Sequence, residues 1–216
     1  IYPMISSCDH KRVFDGDKGL NTGGMGTIAP SPFYTKEIAE EVRENILLPT
    51  VKAMNDLARP FKGVLYFGLI VTDDGVKVIE YNARFGDPET QVVLPLLETD
   101  LIDIFEAIID SRLGEIEIKW SDKSAVCVMA CSGGYPEKYE KGKEITIGKT
   151  ASNITLYHSG TKTANGKLVT NGGRVIGVTA VADNLKQAKA DAYEAIKQVQ
   201  FEGIHYRKDI GDKYII

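Results

Sequence analysis

An α+β fold is predicted by three features of the 216-residue chain. A helical apolar stripe runs through 36–58. Two β-rich runs, 64–72 and 76–82, flank Asp73-Asp74-Gly75. Past a compositional shift at 115–123, short strands lead to one last helix. That shift divides the sequence into a first domain, residues 1–121, and a smaller second domain, residues 122–216.

Each element has a local reason. Residues 6–35, rich in Gly, Asp, Asn, Pro and Ser, read as a long loop. Thr35 is placed to cap the helix at 36–58, and Glu37, Glu40 and Glu41 suit its positive end. Ile38, Val42, Ile46 and Met54 form its stripe, and Pro49 kinks it. Asp73-Asp74-Gly75 closes a hairpin. A short helix is expected after Asp87, with Asp87 as its cap and Pro88 at its first position. Helix 101–113 has Asp100 as cap and Gly114 just past its end; Leu101, Ile104, Phe105, Ile108 and Ile109 form its buried face. Further on, 125–131 is an apolar strand, Gly133-Gly134-Tyr135-Pro136 is a turn, and 155–158 and 167–169 are short strands. Asn171-Gly172-Gly173 reads as a hairpin turn into 175–181, and helix 184–199 opens with Asn184 and Gln187 at capping-box spacing. The stretch from about Ala125 is expected to fold by itself. The first residue, Ile1, marks the chain as a piece of a longer product, with a processed N-terminus as the alternative.

Composition excludes several classes. Lys plus Arg total 26 against 30 Asp plus Glu, so the net charge of −4 argues against coating nucleic acid. The longest apolar runs, such as 64–71, are too short to span a bilayer. Three cysteines make an odd number, so no disulfide framework is expected, and a reducing, cytoplasmic setting fits. Cys127 and Cys131, four apart on a strand, read as buried structural residues. His10, His158 and His205 lack neighbours at zinc-ligand spacing.

The strongest chemical signal runs from Glu80 through Tyr81-Asn82-Ala83-Arg84-Phe85-Gly86-Asp87-Pro88 to Glu89. Glu80 and Asn82 share a strand face, about 7 Å apart along it, and their oxygens suit a hard cation such as Mg²⁺. If the strand persists, Arg84 continues that face and can hold phosphate oxygens. A metal, an arginine and phosphates on one surface are what phosphoryl transfer requires. A strand end of solvated or turn-forming residues is the alternative for Glu80 and Asn82, and helix capping is the alternative for Asp87. The second signal is Asn21-Thr22-Gly23-Gly24-Met25-Gly26. Its glycines would let backbone N–H groups approach an anion, but taken alone a Gly-rich turn with no ligand is the better reading. It is neither a P-loop nor a dinucleotide fingerprint.

Taken in order, Asp9-His10-Lys11-Arg12, Asn21 to Gly26 and Glu80 to Gln91 resemble the glycinamide ribonucleotide synthetase family of ATP-grasp ligases. The likeness continues through Gly133-Gly134-Tyr135-Pro136, His158-Ser159-Gly160-Thr161, Thr170 to Val175 and Arg207-Lys208-Asp209-Ile210-Gly211. It implies the second lobe of an ATP-grasp domain in 1–121, followed by the family's C-terminal domain in 122–216. An N-terminal half would be the chain's partner. The implied reaction joins glycine to 5-phosphoribosylamine with ATP and Mg²⁺ or Mn²⁺, through a glycyl phosphate. The implied metal ligands are Glu80 and Asn82. Arg84 would contact the transferred phosphate, and Asp87 and the 21–26 loop would shape the substrate pocket. Asn21, Thr22, Gly23 and Gly24 count among the cofactor-binding residues, with Lys11 and Arg12 facing a sugar phosphate. No nucleic acid or membrane partner is implied. Another ATP-grasp ligase, or a non-catalytic module on the same scaffold, is the competing reading.

Overall fold

The structure, a computed structural model, describes residues 1–215. Strands β1 (Cys8–Asp9), β2 (Arg12–Phe14), β3 (Lys18–Asn21) and β4 (Gly26–Ala29) come first. Helices α1 (Lys36–Val42) and α2 (Leu48–Asp56) are joined by a π-turn at Arg43–Leu47. Strands β5 (Tyr66–Thr72) and β6 (Gly75–Asn82) precede α3 (Thr90–Val93) and α4 (Leu101–Ile109). Then come β7 (Ser124–Cys131), β8 (Thr146–Ile147), β9 (Ile154–His158), β10 (Thr161–Ala164), β11 (Lys167–Thr170) and β12 (Arg174–Ala182). Helix α5 (Leu185–Ile196) and β13 (Val199–Gln200) complete the order.

These elements form two compact units. The first comprises Ile1–Ile5, Pro32–Gly86 and Leu97–Ser121; the second comprises Ser6–Ser31, Asp87–Leu96 and Asp122–Ile216. Packing does not follow a linear division at 121. Residues 6–31 and 87–96 pack with the C-terminal stretch, because β4 pairs in register with β7, Gly26 opposite Val128 and Ala29 opposite Ala125.

In the first unit, Thr35 caps α1 by accepting from the Ile38 N–H at 3.3 Å. Pro49 enters α2 at its first turn, just after the π-turn. A proline has no N–H to continue the ladder, so the widened turn sits where a bond is missing. Val42, Ile46, Leu47 and Val76 form the core, with Phe67, Leu69 and Val78 packed against it from the antiparallel β5–β6 hairpin. In α4, Asp100 accepts from the Ile102 N–H at 2.8 Å. The helix stops at Ile109, before the expected end at 113, and Ser111 takes a positive φ of 59°. Ile104 and Ala107 are buried, but Ile109 is 70% exposed, so the expected face is one position too wide.

In the second unit, an antiparallel sheet runs in the order β1-β4-β7-β12-β9. All eight residues of β7 are buried. Side chains alternate along a strand, so this sheet is covered on both faces at β7. Helix α5 packs on β7 and β12 through Ala188, Ala192, Ala195 and Ile196. Its cap is Asn184, which accepts from the Gln187 N–H at 2.9 Å. Residues 6–31 are not a loop: they fold into four short strands, with Met25, Ile28 and Ala29 wholly buried. Asn171-Gly172-Gly173 is not a hairpin turn either, because β11 pairs with β10 whereas β12 pairs with β7 and β9. The stretch from Ala125 carries β7, β12, β9 and α5, while the other two strands of its sheet, β1 and β4, come from residues before it.

The C-terminal tail fastens the β2–β3 hairpin. Buried Arg207 donates to Asp209 through Nε at 2.7 Å and Nη2 at 2.8 Å. Its Nη1 reaches Asp17 at 2.8 Å and the Arg12 carbonyl at 3.1 Å. His10 lies beneath, with Nδ1 3.2 Å from the Gly26 carbonyl and Nε2 accepting from the Gly211 N–H at 3.1 Å.

Candidate functional site

In the first unit the candidate residues lie at the end of β6. Gly68 stands opposite Glu80, and a Cβ there would come within 2.9 Å of Glu80 Cγ, so the glycine leaves room for that carboxylate. Asn82 Nδ2 donates to Glu80 Oε1 at 3.3 Å, which places both side chains on one face of the hairpin. β6 ends at Asn82, so Arg84 does not extend the pleat as expected. It is exposed and donates from Nη1 to the Phe85 carbonyl at 2.9 Å.

Glu80 and Asn82 offer two hard oxygen donors. Among the described residues, no group of three or more His, Cys, Asp and Glu side chains could hold a metal. Mg²⁺ takes about six oxygens and keeps several waters, so this pair fits a cation whose remaining ligands are phosphate oxygens and water.

The second unit carries the remaining candidates. The 21–26 loop is held from within. The Thr22 N–H donates to the Lys11 carbonyl at 2.8 Å, and the Gly24 N–H to Thr22 Oγ1 at 2.9 Å. The Gly23 N–H donates to the Tyr135 hydroxyl, and the Met25 N–H to the His10 carbonyl, each at 2.9 Å. The amides that an anion would need at 22–25 are therefore already engaged, and cofactor binding by Thr22, Gly23 and Gly24 loses its backbone donors. The glycines serve close packing instead. Gly24 has φ +116°, and a Cβ there would lie 2.5 Å from Pro88 Cδ and 2.6 Å from Asp9 Oδ1.

Lys11 and Arg12 also have internal partners. Lys11 Nζ lies 2.7 Å from Asp9 Oδ2, and Arg12 Nη1 donates to the Gly19 carbonyl at 2.7 Å. Burial pushes the Asp9 carboxyl up to about 6, against the pull of Lys11, and the nearby Glu89 charge adds to the rise. Burial, helped by the Arg207 charge, holds His10 down to about 4. A neutral His10 suits its place between a carbonyl and an N–H.

Asp87 is not a helix cap, because α3 starts at Thr90. Its Oδ1 accepts from Gln91 Nε2 at 3.0 Å and lies 3.3 Å from Arg174 Nη1. Its carbonyl accepts from Arg174 Nη1 at 2.8 Å. The same nitrogen donates to the Gly23 carbonyl at 2.8 Å. Arg174, Tyr135 and Gln91 were not among the sequence candidates. All three nevertheless stand in segments that carry the resemblance: Gln91 closes the Glu80 to Gln91 string, Tyr135 lies in Gly133-Gly134-Tyr135-Pro136, and Arg174 in Thr170 to Val175.

Comparison with known proteins agrees at both ends of the chain. Residues 1–90 match the family model "Phosphoribosylglycinamide synthetase, ATP-grasp (A) domain", and residues 125–213 match "Phosphoribosylglycinamide synthetase, C domain". A phosphoribosylamine--glycine ligase from Caldanaerobacter subterraneus subsp. tengcongensis is 48% identical, over 99% of this chain and 51% of the relative. A trifunctional purine biosynthetic protein, adenosine-3, from Gallus gallus is 46% identical over 100% of this chain and 22% of its own length. A crystal structure of phosphoribosylamine--glycine ligase from Thermotoga maritima aligns with a TM-score of 0.82 at 35% identity, over 96% of this chain and 51% of that one. The biotin carboxylase subunit of pyruvate carboxylase shares the fold, at a TM-score of 0.59 and 16% identity, over 91% of this chain and 42% of that one. The chain spans about half the length of the first curated relatives it matches. Two models of one family thus account for most of the sequence, and the chain belongs to the phosphoribosylglycinamide synthetase family.

Proposed function

We propose that this chain carries part of an ATP-dependent ligase that joins glycine to 5-phosphoribosylamine, giving glycinamide ribonucleotide, ADP and phosphate. The observation that carries the reading is the shared face of Glu80 and Asn82, whose two oxygens fit a phosphate-bound cation. The names of the relatives and the family models support the same reaction. When bound, Mg²⁺ or Mn²⁺ would neutralise phosphate charge; Glu80 and Asn82 would hold it. Arg84, exposed beside them, offers its remaining guanidinium donors to the transferred phosphoryl group. The glycine carboxylate attacks the γ-phosphorus, and the sugar amine then attacks the resulting acyl phosphate. A free amine is already nucleophilic, so positioning and charge neutralisation carry most of the catalysis. Asp87 and the 21–26 loop shape the substrate pocket by packing and side-chain contact.

The reducing, cytoplasmic setting rests on three free cysteines, two of them buried. No helix among the described residues is long and apolar enough to cross a membrane.

Because the relatives are about twice as long, the proposal extends to the first half of such a protein as partner. Calorimetry of residues 1–216 with Mg-ATP should show no micromolar binding. Adding the N-terminal half of the Caldanaerobacter relative should give ligase activity. Product formation by residues 1–216 alone would overturn the division of labour, and no product from the mixture would overturn the ligase reading.

A further inference from the structure

Arg174 opens β12 opposite Cys131, and the register shifts between Arg174 and Ile176. A bulge at a strand end re-aims the neighbouring side chain. Here the guanidinium reaches two segments far apart in sequence. Its Nη1 donates to the Gly23 and Asp87 carbonyls, each at 2.8 Å, and stands 3.3 Å from Asp87 Oδ1. The fit is tight on every side. A Cβ on Gly23 would lie 3.1 Å from Arg174 Cζ and 3.2 Å from the Tyr135 hydroxyl. A Cβ on Gly173 would lie 2.1 Å from the Tyr135 ring, so that glycine lets the ring sit under the loop. The Arg174 side chain is 19% exposed, which limits how far water can replace its bonds.

We propose that Arg174 is a positioning residue: one nitrogen sets the spacing between the 21–26 loop and Asp87, and so fixes the width of the pocket that receives the amine substrate. The proposal rests on the ligase reading above. Arginine acts here through reach rather than through its fork, since both carbonyls meet the same nitrogen. Lysine offers an equally multivalent ammonium on a shorter stem, and should restore part of the effect.

Amide exchange of residues 1–216, followed by NMR, tests the spacing without reference to activity. Arg174→Gln should speed exchange of the Gly23 and Gly24 amides by about tenfold. Val126 and Val178, in the covered sheet, should keep their protection. Arg174→Lys should fall between Gln and the parent; if Gln loses protection throughout the sheet, Lys carries the comparison. In the two-part ligase, Arg174→Gln should raise KM for phosphoribosylamine several-fold and leave KM for ATP unchanged. Loop exchange equal to the parent's overturns the proposal, as does an equal rise in both KM values, which marks a merely structural stitch. If the unsubstituted pair makes no product, the ligase reading fails, and the exchange result alone decides the spacing.

Discussion

Arg207 and Asp209 face each other through two parallel hydrogen bonds, Nε to Oδ1 at 2.7 Å and Nη2 to Oδ2 at 2.8 Å, around a guanidinium whose side chain is 1% exposed. The pair ties the tail to the β2–β3 hairpin through Asp17 and the Arg12 carbonyl. Arg207→Gln should cost about 3 kcal/mol, the low end for breaking a buried pair, because Asp17 and Asp209 keep some contact with water. Arg207→Lys should recover less than half of that, since it lacks the fork. Urea unfolding, read as a shifted midpoint at constant slope, measures both. A midpoint within error of the parent's would mean that the cluster is not holding the tail.

The same region sets an acid response. Asp209 is held down to about 2, with bonds from Arg207 and the Gly16 N–H overcoming its partial burial. Its contribution is complete above the ordinary value of 3.8 and is lost as the pH falls toward 2. His10, held down to about 4 from 6.5, also destabilises in acid, because the unfolded chain takes the proton first between those values. Asp9, raised from 3.8 to about 6, works in the opposite sense: its folded form binds the proton more tightly, so its contribution is lost as the pH rises through that window. The two neighbours nearly cancel between pH 4 and 6. His10→Gln should remove one side of the balance and make the protein gain relative stability as the pH falls from 6 to 4. Melting temperatures across that range test this; a profile parallel to the parent's contradicts it.

Gly24→Ala should destabilise by about 2 kcal/mol or more, because an added methyl meets Pro88 and Asp9 at a strained φ. Gly166→Ala is the control. It has φ +75° with nothing within 4 Å, so only backbone strain of about 1 kcal/mol applies. Equal costs in denaturant titrations would show that the packing against Pro88 and Asp9 is slack.

Glu80→Ala in the two-part ligase should lower turnover by more than roughly 100-fold, beyond what outer-shell changes around a metal cause. The fold should persist, since Glu80 is exposed. Circular dichroism and the rate at saturating Mg-ATP check this together. Near-normal turnover would remove Glu80 from the metal site.

Legibility followed sequence distance. Helix starts were readable because each carries its own cap, Thr35, Asp100 or Asn184, within three residues of the amide it serves. The common face of Glu80 and Asn82 was readable because strand alternation is local. β1 to β4 were missed because each is two to four residues long and the sheet partner of β4 lies at 125–128. Arg84 was misplaced by extending a strand that stops two residues earlier. The link from Arg174 to Gly23 and Asp87 joins three segments, and no pattern within any one of them encodes it.

The pairing of β4 with β7 also imposes a timetable on synthesis. Residues 26–29 leave the ribosome about a hundred residues before their partner strand, a wait of roughly 5–20 s at translation rates of roughly 5–20 residues per second. During that interval Met25, Ile28 and Ala29 lack the β7 strand they pack beside, while the hairpin and helices of Pro32–Gly86 are being made. The second unit must therefore wait for β7 before its sheet can close, and a nascent chain stalled before Ser124 would present the bare β7-side edge of β4 to the chaperones around it.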